Sequence, residues 1–208
     1  MPMHPDEIKF RLSGDLPGTE SQLKMAPEHR AEELFSLRNK AYNPKLSAVL
    51  ILLFQEAEKL KIIFIRRSDY VGIHSGQMAF PGGRAEKTDV NLQFTALREV
   101  EEEIGIKADS VEVLGNLSDL YIPPSNFLVR PFVGYLKGKP DYVVDNREVK
   151  EVKEFELDLF FQENIIKKKD FQAHNSMRRI SAPYYEVNGT AIWGATAMIL
   201  AELLDMLR

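Results

Sequence analysis

The stretch Arg98-Glu99-Val100-Glu101-Glu102-Glu103-Ile104-Gly105-Ile106 packs four carboxylates into five consecutive residues of a helical pattern that glycine ends. With Phe94 at zero and about 100° per residue, Leu97, Val100 and Ile104 fall within roughly 120° of it on one side. Glu99, Glu102 and Glu103 fall on the other side, within an arc of about 100°. The spacing therefore predicts three carboxylates converging on the face that does not pack. Such like charges repel by about a few tenths of a kcal/mol per pair. They also sit in the second half of the helix, where the macrodipole disfavours negative charge. A divalent cation would offset both conflicts, because hard oxygen ligands at these spacings suit Mg²⁺ or Mn²⁺. A solvated acidic face paired with nearby lysines is the alternative.

Upstream stands Phe80-Pro81-Gly82-Gly83-Arg84. A Gly-Gly turn lets backbone approach a metal or phosphate closely, and a glycine carbonyl is a hard ligand. Further upstream, Leu46 to Phe54 and Leu60 to Arg66 are rich in apolar residues and joined by a short polar link, as in a β-hairpin. Tyr70 to Gly83 reads as loop around a short strand at Gln77 to Phe80. The acidic helix is expected from about Val90 to Ile104. Strands are expected at Val111 to Leu120, Phe127 to Leu136, Glu148 to Leu157 and Pro183 to Val187. The turn pair Asn188-Gly189 follows the last of these. Thr190 caps or precedes a final helix, Trp193 to Leu207, with Trp193, Met198, Leu200, Leu203, Leu204 and Leu207 buried against a sheet. Lys167-Lys168-Lys169 reads as a solvated loop.

The N-terminal residues are polar and punctuated. A helix is expected from Pro5 through Leu12, a turn at Leu16-Pro17-Gly18, and further helix from Pro27 to Lys40. Residues 1–43 are read as a helical extension packed on one domain, 44–208. Strands outnumber helices, and the helices fall between groups of strands, which favours an α+β or mixed α/β sandwich.

The spacing from Gly83 to Arg98-Glu99 and on to Glu102-Glu103-Ile104-Gly105-Ile106 resembles the signature of the Nudix hydrolases. Asp89 stands six residues after Gly83, and the gap from it to Arg98 is one residue longer than the common pattern. The resemblance implies an α/β/α sandwich with a mixed β-sheet and hydrolysis of a diphosphate with divalent metal. It implies Glu99 and Glu103 as principal ligands, Glu102 as a third, and the Gly83 carbonyl completing the set. Arg98 would orient the glutamates, and Glu99 is the position sometimes treated as general base. Glu148 and Glu151 are candidates for one more acidic ligand; a strand salt-bridged through Lys150 and Lys153 is the alternative.

Arg66-Arg67-Ser68, Ile73 to Gly83 with His74, Thr95-Ala96-Leu97, Tyr121 to Val129, and Ile192-Trp193-Gly194-Ala195-Thr196-Ala197 are similar to motifs of the coenzyme A pyrophosphatase branch. That branch usually carries a basic residue where this chain has Gly72. The implied substrate is coenzyme A or an acyl-CoA, cleaved to 3′,5′-ADP and (acyl-)4′-phosphopantetheine. Arg66, Arg67 and Arg84 flank the loop and suit its phosphates, although each reads equally as an exposed arginine paired with an acid. His74 could contact a phosphate or amide; a loop histidine held by backbone is the alternative. Tyr121, Phe127 and Tyr135 could stack on adenine or serve as core. Rival readings are a Nudix hydrolase of another diphosphate such as ADP-ribose, and a non-catalytic binding module on the same fold. Family analogy implies a homodimer.

The remaining composition narrows the classes. The chain has 208 residues, 44% hydrophobic and 28% charged, as one soluble globular domain would. A net charge of -4 gives no bulk attraction to nucleic acid. No cysteine is present, which excludes disulfides, thiolate nucleophiles and Cys-ligated zinc. The longest apolar run, Ala48 to Phe54, is too short for a bilayer, and the N-terminus lacks the order of a secretory signal. A cytoplasmic protein without membrane association is expected.

Overall fold

The computed structural model describes residues 3–28, 30, 43–68, 76–172 and 179–208. Strand β1 (Lys45–Glu56) turns back through Ala57 and Glu58, both at positive φ, into β2 (Lys59–Arg67). Two-residue turns of this hand match the twist of the flanking strands. The expected hairpin is present, with longer strands and a tighter turn than the polar link suggests. Strands β3 (Met78–Ala79) and β4 (Gly82–Arg84) follow, then helix α3 (Leu92–Ile104). Helices α1 (Pro5–Leu12) and α2 (Gly18–Leu23) precede the sheet.

The stretch expected as one strand to Leu120 divides into β5 (Val111–Asn116) and β6 (Leu120–Ile122). A 3₁₀ turn at Pro123–Ser125 leads into β7 (Phe127–Leu136). Strand β8 (Val149–Glu156) ends in a 3₁₀ turn at Leu157–Phe161. Strands β9 (Ile166–Gln172), β10 (Arg179–Val187) and β11 (Thr190–Trp193) precede helix α4 (Gly194–Leu207).

The main sheet has eight strands with the path β3-β2-β1-β7-β5; β4 pairs with β1, β6 with β7 and β8 with β2. The β1–β7 pair is parallel and the others antiparallel, so the sheet is mixed. Both faces are covered, which explains the near-continuous apolar run of β1. Ile51, Leu53, Ile62, Phe64 and Val133 join the core under α4 and the N-terminal helices. Ala48, Leu50, Leu52, Phe54, Ile63 and Phe132 join the core under α3. The result is the expected α/β/α sandwich. Strands β9–β11 form a separate antiparallel sheet that adds Tyr185, Val187 and Ile192 to the larger core.

Three local expectations need correction. Lys167–Lys169 lie in strand β9 rather than a loop, with Lys167 3.1 Å from Glu186 across the sheet and Lys168 paired with Glu28. Thr190 and Trp193 belong to β11, because Asn188-Gly189 closes a hairpin before the helix starts. Gly18 opens a helix instead of ending a turn. Much of the expected helix from Pro27 to Lys40 lies outside the described residues.

The N-terminal helices are fixed by burial. Ile8 and Met25 are fully buried in the core beneath α4. Fully buried Glu202 of α4 accepts from Gln22 Nε2 at 2.8 Å and from the Ser118 amide at 3.0 Å. Among the described residues no helix is long and apolar enough to cross a membrane.

Candidate active site

Helix α3 starts at Asn91, whose side chain accepts from the Phe94 amide at 2.8 Å, and stops at Gly105 with φ 75°. Between these caps it lies against β1 and β4. Gly82 sits at φ 148°, and a Cβ there would overlap the Ala48 carbonyl and the Val49 backbone, so only glycine fits beside β1. A Cβ on Gly83 would overlap the Glu99 carboxylate. The bare backbone thus lets that carboxylate rest directly on the strand.

Glu103 contradicts the expectation that all three glutamates lie on an unpacked face. It is 1% exposed, whereas Phe94, the reference for the packing side, is 45% exposed. The helix is rotated so that β4 covers Glu103. The Gly82 amide donates to Glu103 Oε2 at 2.9 Å, and Oε1 has no hydrogen-bond partner. Arg67 Nη1 stands 3.6 Å from Oε1, an ion pair beyond hydrogen-bond range. Burial pushes the Glu103 pKa up to about 8 against the opposing pull of Arg67 and the Gly82 amide. The charges of Glu99 and Glu148 raise it further.

Arg98 is the hub of the other two glutamates. Its Nη1 lies 2.9 Å from Glu99 Oε1 and 2.9 Å from Glu102 Oε2. Its Nε and Nη2 reach the two oxygens of Asp89 at 3.0 and 3.1 Å, and Nη2 also donates to the Arg84 carbonyl at 3.2 Å. The Asp89 side chain is 2% exposed and accepts further bonds from Thr95 Oγ1 and the Glu86 amide. The Arg98 guanidinium, helped by these donors, holds the Asp89 carboxyl far below the usual range. Glu99 shifts the other way: burial raises it, and Arg98 opposes the rise. Glu102 is 60% exposed.

The remaining predicted residues separate. Arg66 pairs with Glu151 on β8 at 2.8 Å, which is the ion-pair alternative. Glu151 is therefore engaged, whereas exposed Glu148 lies close enough for its charge to raise both Glu99 and Glu103. Arg67, Gly83 and Arg84 line a cleft of about 550 Å³, a volume suited to a small-molecule ligand. His74 lies outside the described residues. Trp193, expected to bury the final helix, instead lines this cleft from β11. The Asn188-Gly189 pair was the available signal, since such a turn demands a second strand after it. Tyr121 donates to Asn126 Oδ1 at 2.9 Å, and Phe127 lines the cleft.

Among the described residues no three carboxylates or histidines converge tightly enough to enclose a metal ion. The donor set nonetheless fits one. A buried carboxylate oxygen without a partner, a second carboxylate seated on glycine backbone and a third acid nearby make a region where added positive charge is favoured.

A family model described as the NUDIX domain matches residues 44–179. The chain belongs to the Nudix family, and it is a hydrolase of the class that acts on nucleoside diphosphate derivatives. Nudix hydrolases generally use divalent metals such as Mg²⁺. It is 37% identical over 163 residues to a protein of Yersinia enterocolitica named uncharacterized Nudix hydrolase NudL, covering 77% of this chain and 80% of that one. A protein of the same name from Pectobacterium atrosepticum is 36% identical over 142 residues, covering 68% and 72%. Among solved structures, the Nudix hydrolase RenU of M. smegmatis superposes with a TM-score of 0.57 at 14% identity, covering 88% of this chain and 92% of that one. A MutT/nudix family protein of Enterococcus faecalis gives 0.55 at 15% identity, covering 100% and 75%. These two support the fold.

Proposed function

We propose that this Nudix hydrolase cleaves the diphosphate bond of coenzyme A or an acyl-CoA, releasing 3′,5′-ADP and (acyl-)4′-phosphopantetheine. One observation carries the reading. The two stretches similar to the coenzyme A branch, around Met78 and around Thr196, are 118 residues apart yet are joined where Thr196 Oγ1 donates to the Met78 carbonyl at 3.1 Å. Both line the same cleft, together with Gly82–Arg84. The glycine backbone on which Glu99 and Glu103 rest thus borders the same cleft as these two stretches, which supports the reading.

Glu99, Glu103, Glu102 and the Gly83 carbonyl would hold Mg²⁺ or Mn²⁺. Such an ion, when bound, neutralises the diphosphate and acidifies water. The chain's own groups do the rest. Gly82 aims Glu103 through its amide, and Asp89 fixes Arg98, which holds Glu99 and Glu102 in register. Arg67 and Arg84 supply positive charge at the wall of the cleft, where phosphate oxygens would lie. Glu99, seated on Gly83 and held by Arg98, is the proposed acceptor of the proton from attacking water.

The test is turnover of coenzyme A, dephospho-coenzyme A and ADP-ribose with Mg²⁺ and Mn²⁺, with products identified by mass. Coenzyme A should yield 3′,5′-ADP. Much faster cleavage of ADP-ribose would overturn the substrate assignment and leave the family assignment intact.

A further inference from the structure

The rings of Phe171 and Trp193 lie parallel, with centroids 4.1 Å apart and planes 8° from each other. Trp193 lines the cleft, and Phe171 stands behind it, outside the lining. One face of the indole is therefore covered by protein, and its exposed surface is turned to the cleft. Further groups surround Phe171 on the same sheet face. Tyr184 meets Phe171 edge-on at 5.7 Å, and Lys169 Nζ lies 4.9 Å from the Phe171 centroid. The backbone around the indole is fixed as well. Trp193 pairs with Tyr184 in the β10–β11 ladder, Ile192 is fully buried, and Thr196 ties the start of α4 to β3. A ring held this way loses little freedom on binding a ligand.

We propose that Trp193 is the stacking platform for the nucleobase of the substrate, extending the Phe171–Trp193 stack by one ring. The proposal deepens, and rests on, the reading of the cleft as a nucleotide diphosphatase site. Every base presents a π face, and a rigid indole already stacked on one side suits such a plane. The lining also holds the aliphatic side chains of Ile122, Met198 and Ile199, which suit a flexible arm better than a flat ring, and one further ring, Phe127. The base would then lie toward β11 and the diphosphate toward Gly82–Arg84. Trp193 falls beyond the residues that the family model covers, 44–179, and within the Ile192–Ala197 stretch similar to the coenzyme A branch.

Trp193 is the single tryptophan of the chain, so the unaltered protein reports on itself. Its emission should change saturably when 5′-AMP is titrated in metal-free buffer, and should stay constant with ribose 5-phosphate, which lacks the base. By calorimetry, Trp193→Leu should bind 5′-AMP roughly tenfold to a hundredfold more weakly, and Trp193→Phe should recover most of the loss. Constant emission with 5′-AMP, an equal response to ribose 5-phosphate, or unchanged binding by Trp193→Leu would each overturn the platform. The two readings fail separately. Coenzyme A turnover without an emission response removes only the platform; an emission response without cleavage of any diphosphate removes the hydrolase reading.

Discussion

The amide of Gly82 and the carboxylate of Glu103, 21 residues apart, meet at 2.9 Å inside the protein. This contact docks the acidic helix on β4 and leaves the second oxygen of Glu103 without a hydrogen-bond partner. A buried carboxylate with one unpaired oxygen is costly unless it neutralises or receives a cation. Its raised pKa expresses the first option, and metal binding would be the second.

Glu103→Gln keeps the shape and an acceptor for Gly82 but removes the charge. Coenzyme A turnover with Mn²⁺ should fall by more than about a hundredfold, while the thermal midpoint stays level or rises. Turnover near the wild-type value would remove Glu103 from the catalytic account. Chelation by EDTA should abolish wild-type activity, and Mg²⁺ or Mn²⁺ should restore it.

The adjacent glycines should respond differently to the same methyl group. Gly82→Ala meets backbone at a φ that L-residues avoid, and should cost about 3 kcal/mol or more in urea unfolding. Gly83→Ala meets only the end of the Glu99 side chain, which can move. It should cost about 1 kcal/mol or less in stability and about a hundredfold in kcat/KM. Equal stability losses would show that the overlap at Gly83 is not relieved by Glu99.

Asp89→Asn should weaken the fold through Arg98. The lost charge-assisted bonds predict a loss of about 2 kcal/mol at neutral pH. The acid limb gives the sign. The folded pKa of Asp89 lies below its ordinary value of about 3.9, so its contribution is complete above that value. It is lost as pH falls from there toward the depressed folded pKa. The gap in urea midpoint between wild type and Asp89→Asn, measured from pH 6 down to pH 3, should therefore hold to about pH 4 and narrow below it. A gap that stays constant with pH would rule out the ion pair as its source.

Glu202→Ala should loosen the N-terminal helices. It strands the Ser118 amide and leaves Gln22 Nε2 only its bond to the Ser118 carbonyl at 3.2 Å, for a cost of about 2 kcal/mol. Amide exchange across Gly18–Leu23 should accelerate more than exchange across α3. Uniform acceleration would point to global destabilisation instead.

Much of this protein is local information. The apolar runs of β1, β2 and β7, the Asn91 and Gly105 limits of α3 and the spacing from Gly83 to Glu103 are properties of neighbouring residues. They suffice for the sandwich and the family because periodicity and turn chemistry act over a few residues. Arg98 beside Glu99 and Glu102 follows from helical spacing alone.

Where each face points is a different matter. Helical spacing sets the angles among Glu99, Glu102 and Glu103, but the partner surface sets the rotation of the whole helix. Strand β4 lies over α3, so Glu103 is buried and Phe94 is not. The lysines of β9 join a strand because Arg179–Val187 offers a free edge to pair with. Trp193 faces a cleft because the Asn188-Gly189 hairpin and the docking of Thr196 on Met78 carry it there. A chain specifies its own periodicities through short-range sterics and solvation. Pairing between distant segments then decides which of those side chains meet, and which meet a ligand.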